Sequence, residues 1–262
     1  MTQLIEFKNQ DGEVLRGLLD RAKSRRGVIF VHGFERTSVE KRFKVIIDRL
    51  KNKINFLRFD LADCGLSDGN FKNFTVDKSA QELATAVKVF MRHSKFKDLI
   101  IVAHSVGGCI SLRYLLKYAQ SKASINKLIL FAPALNQHEL LRYWFVQAKA
   151  PQKKINWKNY KKFLNEKAFR EWVKLKKRVA KAHVLNNQYF LENYQLDYNS
   201  YLGALGERYK ILVVHGDQDE KVPIASNSFK KVLKIKGGDH DLQRPDMVKQ
   251  WLNPVINFIQ DK

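Results

Sequence analysis

Short runs of apolar residues alternate with longer amphipathic stretches along most of the chain. An opening antiparallel hairpin is indicated at residues 4–8 and 14–19, on either side of the turn signal Asp11-Gly12. The apolar runs predict buried strands, and apolar residues at helical spacing predict helices between them. The strands are predicted at residues 28–31, 55–59, 99–103, 127–131, 211–215 and 232–235, and the helices at residues 39–50, 76–92, 106–119 and 245–259. Such alternation is typical of β-α units that build a mostly parallel sheet.

One segment, residues 134–201, interrupts this alternation. It contains no glycine, is rich in lysine, and carries three of the four tryptophans, Trp144, Trp157 and Trp172. Its apolar residues recur at helical spacing, and no run within it is predicted to form a strand. We therefore expect an α/β core made of residues 1–133 and 202–262, with residues 134–201 inserted as a helical cap or lid.

The length and composition are those of a large globular domain. The chain has 262 residues, of which 45% are hydrophobic, so it has enough apolar side chains to bury a core. No stretch approaches the roughly 18 consecutive apolar residues that a membrane-spanning helix needs, and no membrane span is expected. Residues 1–7 lack the basic-then-apolar layout of a secretory signal, which predicts a cytoplasmic location.

The chain is strongly basic. It has 48 Lys and Arg residues against 26 Asp and Glu residues, a formal net charge of +22. Such a charge attracts anionic surfaces, but no helix-turn-helix, zinc-finger or RNP-like pattern is present. We expect no specific nucleic-acid partner, and weak contact with an anionic surface stays an open alternative. The dense basic run at residues 174–181 is interpreted as the solvated face of a helix.

Two cysteines, Cys64 and Cys109, are the only thiols in the chain. Two cysteines do not make a disulfide framework, and neither has a second Cys or His at a metal-ligand spacing. Both are predicted to be reduced thiols, with no metal site.

A predicted strand runs directly into a predicted helix through Ala103-His104-Ser105-Val106-Gly107. The small residues two positions before and after Ser105 suit the sharp strand-to-helix turn called the nucleophile elbow, written G-x-S-x-G. Ser105 is therefore the candidate nucleophile, at the positive end of a helix. The alternative is that Ser105 only caps the helix.

A serine nucleophile needs a base, and the base needs an orienting acid. In this type of sheet the acid and then the histidine follow the serine along the chain. Asp219 and Asp217 compete for the acid, and Asp219 is preferred because Asp217 suits a turn cap. His240, which follows Gly237-Gly238 after the last predicted strand, is the candidate base.

The other histidines are given structural roles. His32 and His104 are expected to pack or to orient the loops near the site. Four more are predicted to be structural or solvent-facing, because no acid-base context is evident near them: His93, His138, His183 and His215. Asp239 and Asp241 flank His240, but adjacent side chains point elsewhere and are poor orienting acids.

The reaction also needs N–H donors for the tetrahedral oxyanion. The backbone N–H of Val106, directly after the candidate nucleophile, is one predicted donor. The second is the backbone N–H of Phe34, in the loop that follows the strand at residues 28–31, where Gly33 provides backbone freedom.

The sequence resembles the α/β-hydrolase superfamily over nearly its whole length. The matching pieces are His32-Gly33-Phe34, residues 58–69, Ala103 to Gly107, residues 216–223 and Gly238-Asp239-His240. The resemblance implies a mostly parallel central sheet flanked by helices, with ester hydrolysis through an acyl-enzyme and neither a metal nor an organic cofactor. Residues 71–76, after Asp68-Gly69, are similar to cinnamoyl and feruloyl esterases. The chain departs from the family at Asp63, where a glycine is usual, and at Cys64.

The predicted function is a serine carboxylic ester hydrolase acting on small aromatic-acid or short-chain acyl esters. The same triad also serves lactones, monoacylglycerols or small amides, and a hydrolase-fold binding protein with a basic docking surface is the alternative of another class. Six aromatic residues of the cap either line a substrate pocket or pack its helices, and packing is favoured for each one: Tyr143, Trp144, Phe145, Tyr160, Tyr194 and Tyr198.

Overall fold

The computed structural model describes residues 2–119, 124–180 and 183–261. The strands within these residues are β1 (Thr2–Lys8), β2 (Val14–Asp20), β3 (Arg26–Val31), β4 (Asn55–Phe59), β5 (Asp98–His104), β6 (Ser124–Phe131), β7 (Lys177–Ala180), β8 (His183–Asn186), β9 (Lys210–Gly216) and β10 (Leu233–Ile235). The α-helices are α1 (Lys41–Leu50), α2 (Val76–His93), α3 (Val106–Lys117), α4 (Gln137–Lys149), α5 (Glu166–Lys174), α6 (Gln188–Asn193), α7 (Asn199–Gly206) and α8 (Pro245–Gln260).

Eight of the strands form one sheet in the order β1-β2-β4-β3-β5-β6-β9-β10. β1 pairs antiparallel with β2, and β2 pairs antiparallel with β4. Every other neighbouring pair in this sheet is parallel. The predicted α/β class and mostly parallel sheet are therefore confirmed.

Both faces of the central strands are buried, which explains their continuous apolar sequences. In β3, Val28 and Phe30 pack on the face covered by α1 and α8. Ile29 and Val31 point to the other face, which α2, α3 and the segment after β6 cover. The alternation follows from the two-residue repeat of a strand. Among the described residues no helix is long and apolar enough to cross a membrane.

In the described part of the segment between β6 and β9 there are four α-helices, α4 to α7, and also the two-stranded hairpin β7–β8. The expectation that it supplies no strand is wrong, and so is the interpretation of residues 174–181 as a helix face, because α5 ends at Lys174. Lys177 would lie one helical turn from Lys174 in a continued helix, and like charges at that spacing repel. Pairing of Val179 with Val184 favours the strand. Residues 181 and 182 of the basic run lie outside the described residues.

Trp251 in α8 is the largest fully buried side chain on its face of the sheet. Its indole N–H donates to the carbonyl of Leu242 at 2.9 Å, and its ring lies 4.9 Å from that of Phe131. We expect Trp251→Ala to lower the free energy of unfolding by about 3–5 kcal/mol, because it leaves a cavity and an unpaired carbonyl. Urea unfolding followed by far-ultraviolet circular dichroism measures this. Trp157→Ala, at a partly exposed position, is the control; an equal loss in both variants would contradict the prediction.

Candidate active site

Ser105 lies in the tight turn between β5 and α3. Its backbone has φ 54° and ψ −123°, a left-handed conformation that is strained for a residue with a Cβ. Its side chain makes no capping hydrogen bond to α3. The hydroxyl instead contacts His240, in the loop that follows β10. The alternative reading of Ser105 as only a helix cap therefore does not fit the structure.

Backbone contact between α3 and the end of β3 closes this turn. A Cβ at Gly107 would lie 2.6 Å from the carbonyl oxygen of Val31 and 2.8 Å from that of His32. Real side chains do not approach carbonyl oxygens so closely, so position 107 requires glycine. Ala103, two residues before Ser105, is fully buried in β5, where its methyl group is accommodated.

The loops that follow β9 and β10 touch through their backbones. A Cβ at Gly216 would overlap the carbonyl oxygen of Gly238. The N–H of Asp217 donates to the carbonyl of Ile235 at 3.1 Å, and the N–H of Gln218 donates to Gly238 at 2.9 Å. This contact fixes the two loops that carry the predicted acid and base.

The three predicted triad residues form one hydrogen-bonded chain. His240 Nε2 lies 3.0 Å from Ser105 Oγ, and His240 Nδ1 lies 2.8 Å from Asp219 Oδ2. Since a carboxylate only accepts, Nδ1 carries the hydrogen and Nε2 is free to accept from the hydroxyl. Asp219 and His240 are both buried, with 5% and 8% exposure. The arrangement therefore suits proton transfer from the hydroxyl to the imidazole.

The carboxylate of Asp219 is surrounded by donors. Oδ1 accepts the backbone N–H of Lys221 at 3.0 Å and that of Val222 at 2.8 Å. Burial raises the pKa of Asp219, but hydrogen bonds from His215, His240 and Val222 outweigh burial and lower the pKa to about 2. The carboxylate is therefore ionised at neutral pH and its orientation is restrained.

The competing carboxylates have other partners. Asp217 is exposed, and its Oδ1 accepts the N–H of Gly237 at 2.8 Å, which ties the two loops together. Asp239 accepts backbone N–H groups of its own loop, and Asp241 pairs with Arg36. The structure brings Asp219 to the imidazole of the predicted base, and it does not bring these three carboxylates there.

His215 is a residue of the site that the sequence analysis missed. Its side chain is fully buried at the end of β9, and its Nε2 lies 3.3 Å from Asp219 Oδ2 and 2.8 Å from the carbonyl oxygen of Val222. The prediction that no acid-base context lies near His215 is wrong. The one available signal was an imidazole in an apolar strand, since buried polar groups need partners.

Two further histidines hold the loops around Ser105. His32 Nδ1 donates to the carbonyl of Gly33 at 2.8 Å, while its Nε2 accepts the N–H of Leu61 at 3.0 Å. Burial lowers the pKa of His32, consistent with a neutral ring that both donates and accepts. His104 Nε2 lies 3.1 Å from the carbonyl oxygen of His240.

Two backbone N–H groups lie beside Ser105. Val106 is the first residue of α3, where the helix end is positive and its N–H has no intrahelical partner. Gly33 lies so close that a Cβ there would be 3.2 Å from the Cβ of Ser105, and Phe34 lines the same cavity. Within the described ranges, neither the Phe34 N–H nor the Val106 N–H is bonded to a protein acceptor.

The ring of Phe34 is held in an aromatic cluster. Ring centroids of Phe71, Phe74 and Tyr189 lie 5.0, 5.3 and 5.9 Å from it. Asp63, where the family usually has glycine, adopts φ 55°, and its carboxylate accepts the N–H of Phe71 at 2.8 Å. The departure at position 63 therefore supports the packing of the loop that carries Phe34.

A cavity of about 350 Å³ opens onto Ser105 and His240. Part of its wall consists of apolar side chains from α4, α5, α6 and the loop after β3. These residues are Phe34, Leu141, Trp144, Ala148, Trp172, Tyr189 and Phe190.

Of the cap aromatic residues considered from sequence, Trp144 lines this cavity. Tyr143 and Tyr198 are buried, and the ring of Phe145 packs against Trp172 with centroids 5.4 Å apart. Packing is therefore the role of these three side chains. The cavity instead uses Trp172, whose lining role the sequence pattern did not distinguish.

The two cysteines lie away from this chemistry. Both are buried, and burial raises the pKa of each thiol above its ordinary value. Across the described ranges, no group of three or more His, Cys, Asp or Glu side chains is arranged to hold a metal ion.

Comparison with known sequences gives a family match. The family model described as serine aminopeptidase, S33, matches residues 22–240. The uncharacterized hydrolase YugF of Bacillus subtilis (strain 168) is 33% identical over 88 residues, covering 34% of this chain and 30% of that protein. The match thus spans less than a third of that curated relative's length.

Comparison with solved structures shows the same fold. Est1E from Butyrivibrio proteoclasticus, in a structure with ferulic acid bound, has a TM-score of 0.71 at 20% identity, covering 97% of both chains. The esterase EaEST from Exiguobacterium antarcticum has a TM-score of 0.65 at 15% identity, covering 98% of this chain and 99% of that one. At these identities the likeness establishes the α/β-hydrolase fold.

The low pKa of Asp219 predicts a pH-dependent contribution to stability. Because folding lowers this pKa from 3.8 to about 2, the ionised carboxylate stabilises the folded protein above about pH 4. This contribution, about 2 kcal/mol, is lost as the pH falls from about 4 to about 2. Urea unfolding of the native protein and Asp219→Asn, from about pH 6 to pH 3, measures it. The difference in free energy of unfolding between the two proteins should become smaller as the pH falls. A difference that stays constant would contradict the lowered pKa of Asp219.

Proposed function

We propose that this chain, which belongs to the family described as serine aminopeptidase, S33, is a serine hydrolase that cleaves carboxylic esters. The observation that carries the proposal is the hydrogen-bonded chain of Ser105, His240 and Asp219 at the mouth of an apolar cavity. In this proposal Ser105 is the nucleophile, His240 the general base and Asp219 the orienting acid.

In the first half-reaction, the Oγ of Ser105 attacks the ester carbonyl carbon while its proton moves to Nε2 of His240. The imidazolium that forms is stabilised by the ionised carboxylate of Asp219. The resulting oxyanion accepts the N–H groups of Phe34 and Val106, each worth about 3 kcal/mol in comparable sites.

His240 then gives its proton to the leaving alcohol, and the acyl group stays on Ser105. Water enters, loses a proton to the same Nε2, and attacks the acyl carbonyl, with the oxyanion held by the same two N–H groups. Collapse of this second intermediate returns the proton to Ser105 and releases the acid. The strained φ of Ser105 keeps the hydroxyl in place through both steps.

The charge around the cavity favours an ester over an aminopeptidase substrate. The charged side chains that line it are Arg36 and Lys221, both cationic. An aminopeptidase must bind the N-terminal ammonium of its substrate, and no carboxylate lines this cavity among the described residues; Asp241, outside the lining, pairs with both cations. An uncharged acyl group buried among apolar side chains needs no such carboxylate.

We further propose that the acyl group is aromatic, of the feruloyl or cinnamoyl type. Rings of Trp144, Trp172 and Tyr189 face the cavity, and aromatic groups pack well against each other. The similarity of residues 71–76 to feruloyl esterases and the bound ferulic acid in Est1E support the same substrate class. Short-chain acyl esters are the second candidate, because the cavity wall is apolar throughout the cap side.

Residues 134–201 are proposed as the cap that determines this preference. Helices α4, α5 and α6 within it provide most of the apolar cavity wall. Lactones, monoacylglycerols and small amides suit the same triad. Faster turnover of one of these would change the proposed substrate class and leave the proposed mechanism unchanged.

We expect turnover of p-nitrophenyl esters and of methyl ferulate, and we expect Ser105→Ala to lower kcat on the order of 10⁴-fold or more. A panel of rising acyl length, with methyl ferulate and an aminoacyl p-nitroanilide, measures kcat/KM for the native protein and the variant. The proposed function would be overturned if Ser105→Ala turned over esters as fast as the native protein does. It would also be overturned if the folded native protein turned over no ester. The second outcome would favour a hydrolase-fold binding protein.

The two neighbouring aspartates provide a matched pair of variants. Asp219→Asn is expected to lower kcat about 10⁴-fold, because it leaves His240 in the wrong tautomer. Asp217→Asn should retain most of the activity, since its carboxylate bonds the N–H of Gly237. The reverse result, with Asp217→Asn inactive and Asp219→Asn active, would show that the acid is misassigned.

A further inference from the structure

Asp219 receives a second imidazole besides that of His240. The Nε2 of His215 lies 3.3 Å from Asp219 Oδ2 and 2.8 Å from the carbonyl oxygen of Val222. Both His215 and Asp219 have fully buried side chains. The contact therefore takes place without water to screen or replace it.

Hydrogen-bond chemistry fixes the tautomer of His215. The carbonyl oxygen of Val222 only accepts, so Nε2 must carry a hydrogen, which is donated to Val222 while Asp219 Oδ2 lies beside it, 3.3 Å from Nε2. Nδ1 is buried and has no hydrogen-bond partner in the described part of the chain. A hydrogen on Nδ1 would be a buried donor without an acceptor, which is costly. His215 thus holds a fixed Nε2–H beside the carboxylate of Asp219.

We propose that His215 is a positioning residue of the hydrolase reaction, which holds Asp219 Oδ2 toward His240 and reduces the negative charge that His240 senses. This inference rests on the proposed function. His215 does not touch the reacting atoms and acts only through Asp219.

Four contacts restrain the carboxylate of Asp219. Oδ1 accepts two backbone N–H groups, those of Lys221 and Val222, and Oδ2 faces two imidazoles. Rotation of the carboxylate would break bonds at both oxygens. Without His215, Oδ2 keeps a single partner, and the carboxylate loses restraint at the atom that orients the base.

The electrostatic effect has a definite sign. The Nε2–H of His215, whose hydrogen carries partial positive charge, lies 3.3 Å from Asp219 Oδ2, and this weakens the attraction between Asp219 and an imidazolium at His240. Removal of this N–H dipole strengthens the attraction between Asp219 and the imidazolium form of His240. The acidic limb of the pH–rate profile must then move to higher pH.

Other charged and titratable groups also act on this pair. They come from α4, the loops after β3, β9 and β10, α1 and the end of β5: Tyr143, Arg36, Lys221, Asp241, Arg42 and His104. None of them is altered by a substitution at position 215, so a change of the profile reports on His215 itself.

Two variants separate donation from packing. His215→Phe keeps a ring but removes the donor. His215→Gln places an amide N–H near the position of Nε2 and restores the donor. The rate at which a fluorophosphonate phosphonylates Ser105 is measured against pH, together with kcat and KM on the best ester. In that labelling the P–O bond to Oγ forms while the P–F bond breaks and fluoride leaves. Because the probe reacts with Ser105 itself, the measurement does not require the natural substrate.

We expect His215→Phe to lower kcat about tenfold with little change in KM, and to move the acidic limb up by about half a pH unit. His215→Gln should recover most of both effects. Equal impairment of both variants with an unchanged pH profile would show that His215 only packs. Full activity in His215→Phe would also overturn the inference. No labelling of folded native protein would instead overturn the proposed function.

Long-range ¹H–¹⁵N spectra of histidine side chains test the donor independently of activity. We expect His215 to show the Nε2–H tautomer, and its resonances to shift in Asp219→Asn. A hydrogen on Nδ1 would refute the donor role even in an active enzyme.

Discussion

The backbone approach of α3 to the end of β3 is the constraint on which the site depends. Gly107 leaves no space for a Cβ between the helix and the carbonyl oxygens of Val31 and His32. This contact forces the sharp turn that gives Ser105 its left-handed φ, and it brings Gly33 against Ser105. Backbone packing therefore positions Ser105, the proposed nucleophile, next to the loop that carries the proposed oxyanion donor Phe34.

A second backbone contact brings Asp219, the proposed acid, and His240, the proposed base, to that turn. The loops after β9 and β10 meet where Gly216 lies against Gly238, and the carboxylate of Asp217 bonds across them. Within this frame Asp219 is buried yet strongly hydrogen-bonded, which keeps its pKa low in surroundings that otherwise raise it. The same burial that costs free energy for the carboxylate also strengthens its interaction with His240.

The apolar cavity connects the cap to the catalytic loops. Tyr189 of α6 lines the cavity and also packs against Phe34, which carries a proposed oxyanion donor. The proposed acyl-binding wall and the proposed oxyanion donor therefore share one aromatic cluster. Among the described residues no carboxylate lines this cavity, and Arg36 and Lys221 are its charged lining side chains, each near Asp241.

The sequence by itself determined the features that depend on neighbours along the chain. Two-residue and helical periodicities located the strands and helices, and the small residues around Ser105 identified the sharp turn. Tertiary structure decided what depends on distant residues: that Trp172 lines the cavity while Tyr143 packs, and that His215 reaches Asp219. It also decided the β7–β8 hairpin, because pairing of Val179 with Val184 outweighs the helical spacing before it. Periodicity records which side of an element is apolar, but which atoms meet across elements depends on how the loops pack.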